Sequence, residues 1–126
     1  MPFVKVYLRR GKSPESLRAV SDAIHDALVS QANVPPDDRF QVIHQLDDHE
    51  LVAHPTYGGV SRTRDLVIVE ITLNAGRTVE VKKALYADMA ARLEQTAGLK
   101  PDDLMVSLVE VTKENWSFGG GRATYA

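Results

Sequence analysis

The chain has 126 residues, of which 44% are hydrophobic and 25% are charged, and its formal net charge is −2 with a pI near 6.1. This composition is typical of a single folded domain over residues 1–126 and lacks the basic surface that nucleic-acid binding requires. Because the chain contains no cysteine, disulfides and zinc–thiolate sites are excluded. No signal peptide precedes the first strand and no apolar run approaches the roughly 20 residues of a membrane span, so we expect a cytoplasmic protein.

The first predicted element is a strand over residues 2–8, in which apolar and polar side chains alternate. Its first residue, Pro2, directly follows the initiator methionine. Methionine is commonly removed before so small a residue, which would leave Pro2 as a free secondary amine. An α-amino group has a pKa of about 7.7–8.0, close enough to neutrality to be tuned for proton transfer. A Met-Pro start is also common in proteins where the proline has no chemical role.

A helix is predicted next, with Ser13 as its N-cap and Pro14 as its first residue. Residues at helical spacing give it one apolar face: Leu17, Val20, Ile24, Ala27 and Leu28. The segment 34–38 ends this helix, and a second strand starts at Phe40. A strand over 66–73, a helix capped by Thr78 and a strand over 104–109 follow in the second half.

The two halves repeat each other without a gap at an offset of 65 positions, which pairs Gly76 with Gly11. The same offset pairs Pro101-Asp102-Asp103 with Pro36-Asp37-Asp38. A whole unit in register indicates a duplicated supersecondary element. We therefore divide the chain into a βαβ unit at 2–46, a connector at 47–65, a second βαβ unit at 66–111 and a C-terminal tail at 112–126.

These units predict an α/β (α+β) fold, a four-stranded mixed sheet with two helices on one face. Strands joined through one helix are expected to be parallel, with a right-handed crossover. The predicted strand 66–73 carries apolar residues on both of its sides, although no element of the chain is available to cover the second face. Burial against further copies solves this, so we expect a closed homo-oligomer.

A duplicated βαβ unit with proline after the initiator methionine resembles the tautomerase superfamily. Within it, the chain is most similar to the malonate semialdehyde decarboxylase family. The similarity depends on the segment 34–41 (VPPDDRFQ) and on the segment 115–123 (NWSFGGGRA), and it extends over essentially the whole chain. The resemblance implies a homotrimer with three active sites near the subunit boundaries.

The resemblance also implies roles for individual residues. Pro2 matches the catalytic proline, which is cationic in the decarboxylase and a general base in tautomerases. Asp38 matches the active-site aspartate, and a carboxylate there would raise the Pro2 pKa. The alternative for Asp38 is a turn-shaping role, since its repeat mate Asp103 lies in the same turn. Arg77 matches an arginine that binds the substrate carboxylate, and a cation at a helix start gains nothing from the helix dipole.

The pattern departs from the family at this junction, where the decarboxylase has two arginines flanking a proline. This chain has Asn74 and, after one extra residue, a single Arg77. Either the substrate differs, or the second charge comes from Arg62, Arg64 or Arg122. Trp116 and Phe118 match an apolar wall of the family's pocket, and the alternative is that they only anchor the tail.

We therefore expect a cofactor-free enzyme acting on a small carboxylate, with Pro2, Asp38 and Arg77 as catalytic residues. Asn74, Trp116 and Phe118 are the expected substrate-binding residues. The favoured reaction is decarboxylation of malonate semialdehyde or a similar β-keto acid, and the alternative is keto–enol tautomerisation or hydration. The alternative from a different class is a non-catalytic trimer that serves as an interaction protein. The four histidines have no spacing that defines a metal site, and no nucleic-acid or membrane partner is expected.

Overall fold

A computed structural model of the chain describes residues 1–125. Each half of the chain contributes two strands joined through one helix. The strands are β1 (Phe3–Arg9), β2 (Phe40–Leu46), β3 (Val67–Asn74) and β4 (Leu104–Val111), and the helices are α1 (Pro14–Gln31) and α2 (Val79–Ala97). The strand order is β2-β1-β3-β4, with β1 parallel to β2, β3 parallel to β4 and the two central strands antiparallel. The predicted mixed sheet of two βαβ units is confirmed.

Both helices start at the predicted caps. The Ser13 hydroxyl accepts a hydrogen bond from the Ser16 N–H at 3.1 Å, and the Thr78 hydroxyl accepts one from the Val81 N–H at 3.2 Å. Each bond satisfies an amide that would otherwise lack a partner in the first turn. α2 ends at Gly98, whose φ of +66° is accessible to glycine at little cost.

The hydrophobic core lies between the sheet and the two helices, which pack against each other. Alternate residues of the central strands point into it, and these are fully buried: Val4, Val6, Leu8, Val67, Val69, Ile71 and Leu73. Within residues 1–125, no helix is both long enough and apolar enough to cross a bilayer.

The opposite face of the sheet, which we call the open face, carries the intervening residues of all four strands. It is apolar at several positions that are 41–53% exposed, namely Phe40, Val42, Met105 and Val109. This apolar surface is interrupted by a stacked pair, Tyr7 and His44, and by an ion pair between Lys5 and Glu70 at 3.7 Å. No described element of the chain packs over this face, as the sequence predicted.

Candidate active site

One end of the sheet brings together segments that are far apart in the chain. In the strand register Phe3 lies opposite both Phe40 on β2 and Thr72 on β3. Because β1 runs parallel to β2 and antiparallel to β3, the starts of β1 and β2 meet the end of β3 here. Asn74 pairs with Val111, so the tail also leaves β4 at this end.

A pocket of about 310 Å³ opens at this end of the sheet. Its lining combines the chain start, the first residues of β2 and the tail: Met1, Pro2, Phe3, Phe40, Gln41, Val42, Trp116, Ser117 and Phe118. Most of these side chains are apolar, and Pro2 itself is buried. An apolar lining excludes water, which strengthens charge interactions inside the pocket.

Asp38 lies beside the chain terminus. Its Oδ2 is 3.7 Å from the N-terminal amine of Met1, and its side chain is only 17% exposed. Its Oδ1 is buried and has no hydrogen-bond partner within the described part of the chain. A buried carboxylate oxygen without a partner is costly and persists where something other than stability requires it.

The repeat mate Asp103 occupies the same turn of the second unit but is fully engaged. It is 1% exposed and accepts hydrogen bonds from the Thr63 amide at 2.6 Å and the Thr63 hydroxyl at 2.5 Å. The connector therefore supplies donors to Asp103, whereas only the chain terminus stands at the corresponding place beside Asp38. The side chain of Asp103 therefore holds the connector in place, and Asp38 accepts no comparable hydrogen bond within residues 1–125.

Arg77 does not line the pocket. Its Nε and one terminal nitrogen donate to the Ala32 carbonyl at 3.1 and 2.8 Å, and the other donates to the Asn74 carbonyl at 3.1 Å. Ala32 is the C-cap of α1, where the helix dipole favours a cation. The inference from the start of α2 was therefore incomplete, because the end of α1 gives Arg77 a structural reason for its position. Three bonds leave two of the five guanidinium N–H groups available.

Asn74 and Trp116 are directly bonded. The indole N–H of Trp116 donates to the Asn74 side-chain oxygen at 2.7 Å. Trp116 packs on Phe118 with ring centroids 5.8 Å apart, and Phe118 meets Tyr125 edge-on at 5.1 Å. Trp116 and Phe118 form one wall of the pocket, and the bond to Asn74 joins the tail to the end of β3.

Two family models described as "Tautomerase enzyme" match the chain, one over residues 38–119 and the other over residues 2–60. The chain belongs to the tautomerase family. It is 42% identical to the probable tautomerase YusQ of Bacillus subtilis (strain 168), over 98% of this chain and 97% of that protein.

Two solved structures extend this assignment. Malonate semialdehyde decarboxylase is similar with a TM-score of 0.91 and 33% identity, over 98% of this chain and 95% of that one. A fused 4-OT, solved as a symmetric trimer, has a TM-score of 0.78 and 23% identity over 98% of this chain and 97% of that one, a likeness of fold alone. The resemblance to the tautomerase superfamily and its decarboxylase branch is thus confirmed.

In this tautomerase-family chain, the predicted site residues lie at one end of the sheet. Only some of them line the pocket. Pro2, Trp116 and Phe118 line the pocket, whereas Asp38 adjoins it through Met1. Asn74 reaches the pocket wall through its bond to Trp116. Lining residues that the sequence analysis did not single out are Phe3, Phe40, Gln41, Val42 and Ser117. The strand alternation that puts Phe3, Phe40 and Val42 on the open face was the available signal.

The three arginines considered as a second charge differ in their surroundings. Arg62 donates to the His54 and Tyr57 carbonyls at 3.2 and 2.6 Å. Arg64 pairs with Asp48. Both precede β3 and therefore lie toward the end of the sheet opposite Pro2. Arg122, in the tail beyond Phe118, makes no side-chain hydrogen bond or ion pair within residues 1–125.

One exposed group, Asp47, His49 and Glu50, brings possible metal-ligand atoms within 4.8 Å of one another. Asp47 already pairs with Arg10 at 3.0 Å, and the Glu50 carboxylate accepts the Asp47 amide at 2.8 Å. These contacts account for the cluster as a capped turn, and exposed acidic groups of this kind are common without a metal.

Proposed function

We propose that the chain is a tautomerase-family enzyme that uses Pro2, freed by removal of Met1, to decarboxylate malonate semialdehyde or a similar small β-keto acid. One observation carries this proposal: the Asp38 carboxylate, whose Oδ1 is buried and unpartnered within residues 1–125, has its Oδ2 3.7 Å from the amine of Met1, beside an apolar pocket. After removal of Met1, a carboxylate at this place would favour the charged ammonium form of the Pro2 nitrogen.

In the proposed reaction the Pro2 ammonium donates a hydrogen bond to the substrate carbonyl. The bond between the α-carbon and the carboxylate breaks, carbon dioxide leaves, and the electron pair passes into the polarised carbonyl to form an enol or enolate. Protonation of the α-carbon then gives the aldehyde, so one proton is consumed overall. The apolar wall of Trp116 and Phe118 favours loss of the charged carboxylate by excluding water.

The substrate carboxylate would bind at the end of β3, near Asn74 and the two unused N–H groups of Arg77. The charge of Asp38 disfavours a bound carboxylate and favours its loss as neutral carbon dioxide. No metal or organic cofactor enters the proposed reaction.

Keto–enol tautomerisation or hydration of a small 2-oxo or unsaturated acid is the second candidate. It is favoured by the 42% identity to a probable tautomerase and requires a neutral Pro2 nitrogen that acts as a general base. The protonation state of Pro2 at neutral pH therefore separates the two reactions.

A homotrimer is proposed for the assembly. The exposed apolar residues of the open face support it, as does the trimeric assembly of the similar fused 4-OT. A non-catalytic trimer that uses this fold for interaction is the alternative from a different class, and it would tolerate a retained Met1.

The test starts with the intact mass of the native protein, where retention of methionine would contradict amine chemistry at Pro2. Malonate semialdehyde, phenylenolpyruvate and an acetylenic acid are then assayed with the wild type and with Pro2→Ala. We expect kcat/KM for malonate semialdehyde to fall by about 10²–10⁴ in Pro2→Ala. Pro14→Ala, at the start of α1, is the matched control and should leave activity intact. An NMR titration of the Pro2 nitrogen supports decarboxylation if its pKa lies above neutrality and tautomerisation if it lies below.

A further inference from the structure

The turn that carries Asp38 is tied to α1 on both sides. Before Asp38, His25 Nε2 lies 2.8 Å from the Pro36 carbonyl oxygen. After Asp38, the Arg39 guanidinium donates to Asp22 at 2.6 Å and to the Ser21 hydroxyl at 2.7 Å. Asp38 is thus held between two tethers that come from successive turns of one helix.

The tether at His25 is shielded from water. A carbonyl oxygen can only accept, so Nε2 must carry the proton in this bond. His25 is 6% exposed, and a buried hydrogen bond of this kind is costly to break because both groups lose their partner. The bond therefore restrains the backbone two residues before Asp38.

The Asp38 carboxylate has little else to hold it. Its Oδ1 has no hydrogen-bond partner among residues 1–125, and Oδ2 meets only the N-terminal amine. Its repeat mate Asp103 is instead fixed directly by Thr63. The position of the Asp38 side chain accordingly depends on the backbone of its turn, where the Asp38 amide donates to the Pro35 carbonyl at 3.0 Å.

We infer that His25 and Arg39 are positioning residues, which act through the turn to keep the Asp38 carboxylate beside the chain terminus, where removal of Met1 would free the Pro2 nitrogen. The inference rests on the proposed function of Pro2 and adds residues that touch neither the substrate nor the reacting atoms. A displacement of about 1 Å in a catalytic group can cost on the order of 100-fold in rate. Loss of a tether should therefore lower kcat, whereas substrate binding near Asn74 and Arg77 should change little.

The test compares His25→Leu with His25→Gln. Leucine fills much of the ring's volume without a donor, whereas the glutamine amide nitrogen can replace Nε2 as donor to Pro36. We expect kcat to fall about tenfold or more in His25→Leu, with KM within about twofold, and to recover in His25→Gln. The inference is overturned if folded His25→Leu keeps its kcat, or if His25→Gln, equally folded, is no better.

A second pair of variants substitutes residues outside the hydrophobic core. It tests the positioning role even if His25→Leu does not fold. Arg39→Ala removes the tether to Asp22. Arg18→Ala removes another partner of Asp22, at 3.0 Å, without touching the turn. Only Arg39→Ala should lower kcat. An equal fall in kcat in both variants would show that loss of a partner of Asp22 acts through general stability and not through the turn.

A readout without substrate separates this inference from the proposed function. The Pro2 nitrogen and the Asp38 carboxyl are titrated by NMR in the wild type and in the tether variants. Displacement of Asp38 should lower the pKa of the Pro2 ammonium toward that of an ordinary α-amine. If the wild type turns over none of the acids, the proposed function fails while the titration still decides the role of the tethers. An unchanged Pro2 titration in both His25→Leu and Arg39→Ala would overturn that role.

Discussion

The indole N–H of Trp116 donates a 2.7 Å hydrogen bond to the side-chain oxygen of Asn74, and this bond joins the tail to the end of β3. The asparagine oxygen is occupied by this bond, which leaves its NH₂ group free to donate. Asn74 thus orients the pocket wall as well as facing the proposed carboxylate position.

Replacing Asn74 with leucine should detach the wall. The half-buried indole N–H would lose its acceptor, at a cost of about 1–2 kcal/mol in unfolding free energy. Trp116 is the only tryptophan of the chain, so its fluorescence reports this change directly. We expect altered emission and a raised KM in Asn74→Leu, whereas Asn74→Asp should keep the emission because it keeps the acceptor. Emission unchanged in Asn74→Leu would contradict the role of this bond.

Asp38 and Asp103 should respond oppositely to substitution. Asp103→Ala leaves the Thr63 donors unpaired in a buried place, and we expect a loss of about 2–3 kcal/mol in unfolding free energy. Asp38→Ala removes a carboxylate without side-chain hydrogen bonds and should change stability by less than about 1 kcal/mol while it abolishes most activity. Urea unfolding of both variants, together with one activity assay, tests the contrast. Equal destabilisation by the two substitutions would make Asp38 a structural residue.

Much of the fold follows from local signals. The 65-residue offset predicts two βαβ units, and Ser13 and Thr78 mark both helix starts because they can satisfy first-turn amides. The distinction between Asp38 and Asp103 could not be predicted in this way, since both occupy the same turn of the same repeat. It depends on Thr63, which approaches Asp103 from 40 positions away in the chain.

The contacts of Arg77 could not be predicted from the sequence either. Its neighbours in the chain place it at the start of α2, where a cation gains nothing. One carbonyl that it binds belongs to Ala32, 45 positions earlier, and only the packing of α1 against α2 brings the two together. A pattern along the chain reports such contacts only when the residues lie on the same element.

Arg77 should therefore contribute to stability as well as to the proposed substrate binding. Arg77→Met keeps the aliphatic stem but removes three hydrogen bonds to the Ala32 and Asn74 carbonyls. We expect a loss of about 1–2 kcal/mol in unfolding free energy, with a smaller loss in Arg77→Lys, which keeps the charge at the end of α1. Urea unfolding measures both. Wild-type stability in Arg77→Met would mean that the arginine serves only the substrate.

The pair formed by Arg39 and Asp22 predicts a pH-dependent part of the stability. The hydrogen bond from Arg39 holds the pKa of the Asp22 carboxyl below its ordinary value of 3.8, and the charges of Arg18 and Arg39 add to this effect. Because the folded-state pKa is lowered, the unfolded chain takes up this proton first as the pH falls. The stabilisation is therefore present above 3.8 and is lost as the pH falls through the lowered pKa.

Comparison of the wild type with Asp22→Asn isolates this contribution. The Asp22 side chain is 46% exposed, so solvent screening limits the difference in unfolding free energy to less than about 1 kcal/mol. We expect the full difference above about pH 5 and its progressive loss as the pH falls below 3.8, measured by urea unfolding at a series of pH values. A difference that stays constant down to the lowest pH would show that the charge of Asp22 is not what holds Arg39. The tether would then rest on the Ser21 hydroxyl, which does not titrate in this range.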